Sequence, residues 1–153
     1  TKSLVGFKVG AIHYAVAIGR VREIINPLPI VELPHAPLTV LGVAHHRGEV
    51  LPVVDLRQRF GLATATSTRK TRFIIVATRG RPVALVVGGV TDVFGPGSDA
   101  ARKVPELGSG EAARGIIESY VVGHELVFVV DADRVADAVV GLDVSQALPE
   151  VAS

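Results

Sequence analysis

The stretch that decides the fold runs from Leu41 to Leu62 and has the sequence LGVAHHRGEVLPVVDLRQRFGL. It begins with an apolar strand, Leu41 to His46, and continues after a tight turn at Arg47-Gly48 with a β-branched strand, Glu49 to Val54. Gly48 suits the turn because glycine adopts a positive φ without steric cost, as a two-residue hairpin demands. The pattern therefore predicts a β-hairpin.

A short helix is predicted directly after this hairpin. Asp55 follows the second strand, where its carboxylate can accept hydrogen bonds from unpaired N–H groups at a helix start, and Gly61 suits the helix end. The last third of the chain repeats this plan, because Glu125 to Asp131 aligns with Glu49 to Asp55 and precedes a helix-forming segment, Ala132 to Val140. The repeat indicates two similar β subdomains, and closing each into a small barrel would remove its exposed strand edges.

Composition and charge exclude several classes of protein. The chain has 153 residues, of which 48% are hydrophobic and 20% charged, so one domain with a sizeable interior is expected. The formal net charge is +1 and the basic residues are spread among acidic ones, so nucleic-acid binding is not expected. The sequence has no cysteine, and no apolar run approaches the ~20 residues of a membrane-spanning helix. These features favour a soluble cytoplasmic protein without direct membrane insertion.

The other segments place a seam between two subdomains near residue 66. Thr71 to Thr78 and Pro82 to Val90 are apolar runs joined at Arg79-Gly80-Arg81, which predicts a hairpin. Ala63 to Lys70 is Thr-rich and poor in bulky residues, so we interpret it as an exposed linker or hairpin loop, while Gly95 to Gly110 is the longest irregular stretch. We expect a single domain over residues 1–153, with subdomain 1 at about 12–66 and subdomain 2 at about 67–140; the strand at Thr1 to Gly10 and the C-terminal tail pack across.

The stretch from Gly42 to Arg57 resembles the signature of the CheW family, the adaptors of bacterial chemotaxis arrays. The shared pattern is Gly-Val, three residues, Arg-Gly, a strand with an inner proline, and Asp-Leu-Arg. Further matches, in the order expected for the family, are Phe7, Tyr14-Ala15-Val16, Val21-Arg22-Glu23-Ile24, Leu33-Pro34, Pro37, Gly88 to Val93 and Gly115-Ile116. The resemblance implies a mainly β fold of two packed five-stranded SH3-like β-barrel subdomains with short helices.

The resemblance also implies a function. CheW proteins are non-catalytic scaffolds that bind the cytoplasmic tip of methyl-accepting chemotaxis receptors and the regulatory domain of the histidine kinase CheA, and they need no cofactor. Such a protein would be cytoplasmic and recruited to membrane-associated receptor arrays. The residues that would contact the kinase are unassigned. The alternative is a divergent CheW-like protein of another chemosensory or motility pathway that binds only one of these partners.

Arg47 is the principal candidate for receptor binding. From the sequence alone, an arginine in a tight turn is more often solvated, but the resemblance assigns the matching arginine to receptor engagement. We hypothesise an ion pair between Arg47 and Glu23 at the mouth of a groove between the subdomains. Val21, Gly42 and Val43 would form apolar or close-approach walls of this receptor-binding groove.

His45 and His46 allow two further interpretations. Together with Asp55 they could bind zinc in a small β-barrel metal-dependent hydrolase, but adjacent strand residues face opposite sides, so both imidazoles cannot easily reach one ion. We therefore predict no metal site and no catalytic residue, and interpret Asp55 and Asp131 as helix N-caps. CheW proteins usually have Asn-Leu where this chain has His45-His46, and imidazoles at these positions admit a pH-sensitive contact that modulates binding.

Overall fold

We describe the protein from a computed structural model, which describes residues 3–61, 67–95, 101–104, 115–139 and 142. No helix within these ranges is long and apolar enough to cross a membrane. The strands, in chain order, are β1 (Leu4–Val9), β2 (Ile12–Ala17), β3 (Val21–Ile25), β4 (Val40–His46), β5 (Glu49–Asp55), β6 (Arg72–Val76), β7 (Val83–Val87), β8 (Gly89–Phe94), β9 (Ala101–Val104), β10 (Ile116–Val122) and β11 (Glu125–Val130). The α-helices are α1 (Leu56–Arg59) and α2 (Ala132–Val135), and 3₁₀ turns occupy Ile18–Arg20 and Asp137–Val139.

The strands form two sheets. One has six strands in the order β8-β1-β2-β11-β10-β9, and the other has five in the order β3-β6-β7-β5-β4. Neighbouring strands are antiparallel, except that β2 with β11 and β5 with β7 are parallel. The prediction of a mainly β fold with two β subdomains and short helices is confirmed. Among the described strands, backbone pairing does not close either sheet into a complete barrel.

The sixth strand of the larger sheet comes from a stretch that the sequence predicts to be irregular. β9 lies within Gly95 to Gly110, and its residues pair antiparallel with Ser119 to Val122 of β10. Local composition favours a loop there, but the edge of β10 offers backbone N–H and C=O groups that a neighbouring segment can satisfy. Tertiary pairing therefore overrides local composition. The rest of that stretch, residues 96–100 and 105–110, lies outside the described residues.

The repeated unit of hairpin and capped helix is present. β4 and β5 form one hairpin, and β10 and β11 form the other. The second strand of each is followed by a helix whose N-cap is an aspartate: Asp55 accepts a hydrogen bond from the backbone N–H of Arg57, and Asp131 from that of Asp133, both at 2.9 Å. The second helix is shorter than expected, because α2 ends at Val135 and a 3₁₀ turn follows.

The division between the sheets does not coincide with the expected seam near residue 66. β2 lies in the six-stranded sheet, whereas β6 and β7 lie in the five-stranded sheet with β4 and β5. The parallel pairing of Val53 to Asp55 with Ala84 to Val86 draws the hairpin of β6 and β7 into that sheet. The N-terminal strand β1 lies between β8 and β2. Linker residues 62–66 and the tail from residue 143 lie outside the described residues.

One hydrophobic core is shared by the two sheets. Phe7 of the six-stranded sheet, Ile74 of the five-stranded sheet and Leu56 of α1 are all fully buried in it. Tyr14 of β2 stacks on Phe60, which follows α1, with ring centroids 4.4 Å apart. Burying each such side chain stabilises the fold by about 1.5–3 kcal/mol. The shared core fixes one sheet against the other and so positions the clefts where they meet.

Candidate functional site

The Arg47-Gly48 turn brings charged side chains together at one end of the five-stranded sheet. Arg47 Nη2 lies 3.0 Å from Glu23 Oε1, and His46 Nε2 lies 3.1 Å from Glu23 Oε2. Glu23 is on β3, one edge strand of the sheet, while His46 ends β4, the other edge strand. The sheet therefore curls until its two edges meet through side chains. The hypothesised ion pair between Arg47 and Glu23 is present in the structure.

The backbone of this turn is left-handed at both residues. φ is 51° at Arg47 and 79° at Gly48, and the flanking residues His46 and Glu49 are paired. Two positive φ values in a two-residue turn are the type I′ geometry, which matches the twist of antiparallel strands. A side chain in this conformation costs about 1 kcal/mol compared with glycine. The turn thus holds the Arg47 side chain at the hairpin tip, 75% exposed, within ion-pair distance of Glu23.

The charges alternate around a small cavity beside the turn. Arg22 Nη2 lies 3.5 Å from Glu49 Oε1, next to the pair of Arg47 and Glu23. The cavity has a volume of about 210 Å³, and Leu51 is among its apolar lining. A guanidinium carries five N–H donors, so Arg47 can bind a partner's carboxylate while it keeps its contact with Glu23.

Three residues of the predicted groove do not line this cavity. Val43 is fully buried and exchanges two backbone hydrogen bonds of 2.8 Å with Val31. Gly42, with φ of 148°, approaches the same segment so closely that a Cβ would overlap the Val31 carbonyl group. Val21 is half-buried and packs against the core. Their observed contacts hold edge strands in place, and the cavity at Arg47 lies within one sheet instead of between the two.

A second cleft does lie between the sheets. It has a volume of about 490 Å³ and is lined by residues of both sheets, with Ile24 on β3 and Val90 on β8 as its apolar members. These two side chains are 40% and 36% exposed. Ile24 follows Glu23 on the same strand and therefore points to the opposite face. β3 thus contributes Glu23 to the Arg47 cluster and Ile24 to the cleft. No local pattern predicted this cleft, since its walls are distant in sequence.

A third cluster joins the sheets through Asp133 of α2. Its carboxylate accepts hydrogen bonds from Arg20 Nη2 and from the Arg79 backbone N–H, both at 2.7 Å, and Arg79 Nε lies 3.3 Å away. Burial acts to raise the pKa of Asp133, but these hydrogen bonds and the two guanidinium charges hold the pKa below its ordinary value. A cavity of about 510 Å³ lies beside the cluster. Sequence reasoning missed Asp133 because Arg20 is 113 residues away.

His45 and His46 occupy opposite sides of β4, as expected for adjacent strand residues. His45 is exposed, whereas His46 is half-buried and contacts Glu23. Asp55 caps α1 at the far end of β5, whereas Glu49, at the start of β5, is paired with His46. Asp55 lies six residues beyond Glu49, which corresponds to roughly 20 Å at about 3.3 Å per strand residue. One ion therefore cannot bind all three side chains. The described residues contain no group of three or more His, Asp or Glu arranged to hold a metal, so the hydrolase interpretation has no support.

One family model and several known proteins match this chain in sequence or fold. The family model described as CheW-like domain matches residues 3–140. The probable chemotaxis protein CheW of Rhizobium etli is 34% identical over 119 residues, covering 76% of this chain and 77% of that protein. The chemotaxis protein CheW of Rhizobium meliloti is 33% identical over 137 residues, covering 88% and 86%. Protein FrzA of Myxococcus xanthus is 35% identical over 108 residues, covering 63% and 67%. The crystal structure of the scaffolding protein TtCheW from Thermoanaerobacter tengcongensis has the same fold, with a TM-score of 0.78, 23% identity, and coverage of 89% of this chain and 92% of that one.

Proposed function

Since this chain belongs to the CheW family, we propose that it is a non-catalytic adaptor that couples methyl-accepting chemotaxis receptors to the histidine kinase CheA. The family match over residues 3–140 and the fold shared with a CheW scaffolding protein support this proposal. The protein would act in the cytoplasm, where membrane-associated receptor arrays recruit it. It would transmit the state of the receptor by positioning the kinase.

We assign receptor binding, the receptor arm of this function, to the Arg47 guanidinium, which the turn presents beside Glu23. Arg47 is 75% exposed, and its planar group can pair with a carboxylate through two parallel hydrogen bonds. Because Glu23 already orients the guanidinium, less side-chain entropy is lost when a partner binds. We propose that both imidazoles modulate this contact, His46 through Glu23, which it shares with Arg47, and His45 from the opposite face of β4.

The other residues proposed for the receptor groove would affect this contact indirectly. Val21 packs one end of β3 on the core, and Gly42 with Val43 fixes β4 against the segment at Val31. Their packing sets the distance between the two edge strands that carry Glu23 and the turn. They would therefore affect receptor binding through the geometry of the strands.

The kinase arm requires a second surface on the same rigid body. Two sheets packed on one core provide such a body, because each sheet presents its own outer surface. The family resemblance implies that the kinase's regulatory domain has the same fold. Adaptor and kinase can then alternate through pseudo-symmetric contacts that close into a ring.

The proposal of a non-catalytic role rests on what the candidate catalytic groups contact. Asp55 and Asp131 accept hydrogen bonds from the first turns of α1 and α2. His46 contacts Glu23, and His45 lies on the opposite face of the strand. These side chains have structural partners and are too dispersed to share a substrate.

Calorimetric titration tests both arms. Wild type is titrated with a receptor-tip fragment and with the kinase regulatory domain of its host, beside Arg47→Ala and the matched control Arg81→Ala, an exposed arginine of another hairpin turn. We expect wild type to bind both partners, Arg47→Ala to weaken the receptor arm by about tenfold, and Arg81→Ala to leave that arm unchanged. Equal receptor affinity of Arg47→Ala and wild type would contradict the assigned site. Binding of wild type to neither partner would contradict the adaptor function.

A second candidate is a CheW-like adaptor of another chemosensory or motility pathway that binds only one of the two usual partners. One observation favours it: this chain has His45-His46 where the family usually has Asn-Leu. Pull-downs against a panel of receptor tips and kinases separate the two candidates. Capture of a kinase without any receptor tip, or the reverse, would favour this second function.

A further inference from the structure

Basic side chains line the cleft between the sheets. Its lining includes four basic residues and no acidic one: Lys8, Arg57, Lys70 and Arg72. Arg72 Nη1 donates to the backbone carbonyls of Arg69 and Thr71, both at 2.7 Å, which orients the guanidinium without neutralising it. Within the part of the chain that the structure describes, no carboxylate lies within ion-pair distance of Lys70 or Arg72.

Glycines leave space between these basic residues. Gly89 is paired with Lys8 across β1 and β8, and a Cβ at Gly89 would lie 3.5 Å from Lys70 Cβ. A Cβ at Gly88 would lie 3.7 Å from Arg57 Nη2. Because both positions lack side chains, groups from a partner can approach the basic residues.

The same cleft has an apolar component that decides what kind of ligand it suits. Ile24 and Val90, from different sheets, are both more than one third exposed. A phosphate ion would leave these side chains in water, whereas a protein segment can cover them with its own apolar side chains. The charge and the apolar walls together fit an amphipathic segment that carries carboxylates.

We propose that this cleft selects receptor tips by the carboxylates of their docking segment, an inference that rests on the receptor arm of the proposed function. Apolar side chains of the tip would cover Ile24 and Val90, and neighbouring Asp or Glu side chains would pair with Lys70 and Arg72. Ile24 and Glu23 are neighbours on β3 but face opposite sides of the strand, so the cleft would be a receptor contact separate from the Arg47 cluster. Charge pairs at such a site set specificity and the rate of association.

Charge reversal at Lys70 tests this inference. Its side chain has no ion-pair partner among the described residues, so Lys70→Glu should leave the fold intact, as far-ultraviolet circular dichroism and the melting temperature can verify. The receptor-tip fragment is titrated into wild type, Lys70→Gln, Lys70→Glu and the control Arg81→Glu, which makes the same charge change at the opposite end of β6. A second fragment has the carboxylates of its tip replaced by amides.

We expect Lys70→Glu to bind the fragment about tenfold more weakly at low salt, Lys70→Gln to lie between it and wild type, and Arg81→Glu to match wild type. Added salt should weaken wild type more than Lys70→Glu, and the amide fragment should no longer distinguish them. If wild type binds and Lys70→Glu binds equally well, the selection by carboxylates is overturned and the receptor arm stands. If wild type does not bind the fragment, the receptor arm fails and the inference fails with it.

Discussion

Replacing Asp133 with asparagine removes the negative charge that joins the two sheets and keeps the size of the side chain. The wild-type carboxylate accepts hydrogen bonds from Arg20 Nη2 and the Arg79 backbone N–H, both at 2.7 Å. The Asp133 side chain is only 13% exposed, so water replaces these partners poorly. We therefore expect Asp133→Asn to lower the free energy of unfolding.

The magnitude follows from the contacts that asparagine cannot reproduce. A hydrogen bond to a charged group contributes about 1.5–3 kcal/mol, and a neutral one about 1 kcal/mol. The asparagine oxygen retains an acceptor, and the Arg79 side chain, 87% exposed, contributes little to the ion pair. The expected loss is about 2 kcal/mol, which corresponds to a fall in melting temperature of about 4–8 °C for a domain of this size.

The effect depends on pH because folding lowers the pKa of Asp133 below its ordinary value of 3.8. The hydrogen bonds and guanidinium charges overcome the opposing effect of burial, so the folded protein holds the charged form to lower pH than the unfolded chain does. This stabilisation is complete above the pKa of the unfolded carboxyl and is lost as pH falls through the lower pKa of the folded state. The gap in unfolding free energy between wild type and Asp133→Asn should be constant from about pH 7 to pH 5 and shrink below about pH 4.

Urea unfolding followed by far-ultraviolet circular dichroism measures this gap. Asp137→Asn is the matched control, because Asp137 is exposed, lies in the 3₁₀ turn just after α2, and has no ion-pair partner among the described residues. The control should lie within about 0.5 kcal/mol of wild type. A gap for Asp133→Asn below about 0.5 kcal/mol at neutral pH, or one that persists undiminished at acid pH, would refute the reasoning.

Three further outcomes follow from the structure. Gly42→Ala should lower the free energy of unfolding, measured in urea, by at least about 3 kcal/mol, since the φ of 148° and the overlap with the Val31 carbonyl leave no space for a Cβ. Gly19→Ala, in open space, should change the free energy of unfolding by about 0.5 kcal/mol or less, and similar losses in the two variants would contradict this. Arg47→Asn should have the same melting temperature as wild type or a higher one, because asparagine tolerates a positive φ and an exposed ion pair contributes less than about 1 kcal/mol. A clear fall in melting temperature would show that the ion pair with Glu23 contributes more to stability than this. Burial and a hydrogen-bonded glutamate raise the pKa of Tyr120 to about 12, so ultraviolet titration should find Tyr120 still protonated at about pH 11. Its contribution to stability should be complete below about pH 10 and be lost as pH rises through 12. Loss of the phenolic proton of Tyr120 near pH 10, identified by comparison with Tyr120→Phe, would contradict this.

Local chemistry accounts for the parts of the fold that could be predicted. The β-branched run from Val50 to Val54 and the turn at Gly48 predicted the hairpin of β4 and β5, and the carboxylate of Asp55 marked the start of α1. The positive φ at Gly48 was likewise expected, but that at Arg47 was not, because the type I′ geometry depends on how the two strands twist after pairing. The contact of Arg47 with Glu23 came from the family resemblance, since nothing in the spacing of these two residues requires it.

The sequence by itself determined the hairpins of β4 with β5 and of β6 with β7 and the two helix caps, because these depend on backbone preferences and side-chain patterns within a few residues. The strand β9 was not among them, since its formation depends on pairing with β10. Only the tertiary structure decided which strands share a sheet, since the parallel pairings of β5 with β7 and β2 with β11 connect segments that are separate in the chain. The same holds for the cleft at Ile24 and Val90 and for the cluster at Asp133, whose members meet only after the sheets pack on a shared core. Such sites depend on burial and charge contributed by distant residues, and no local pattern encodes that arrangement.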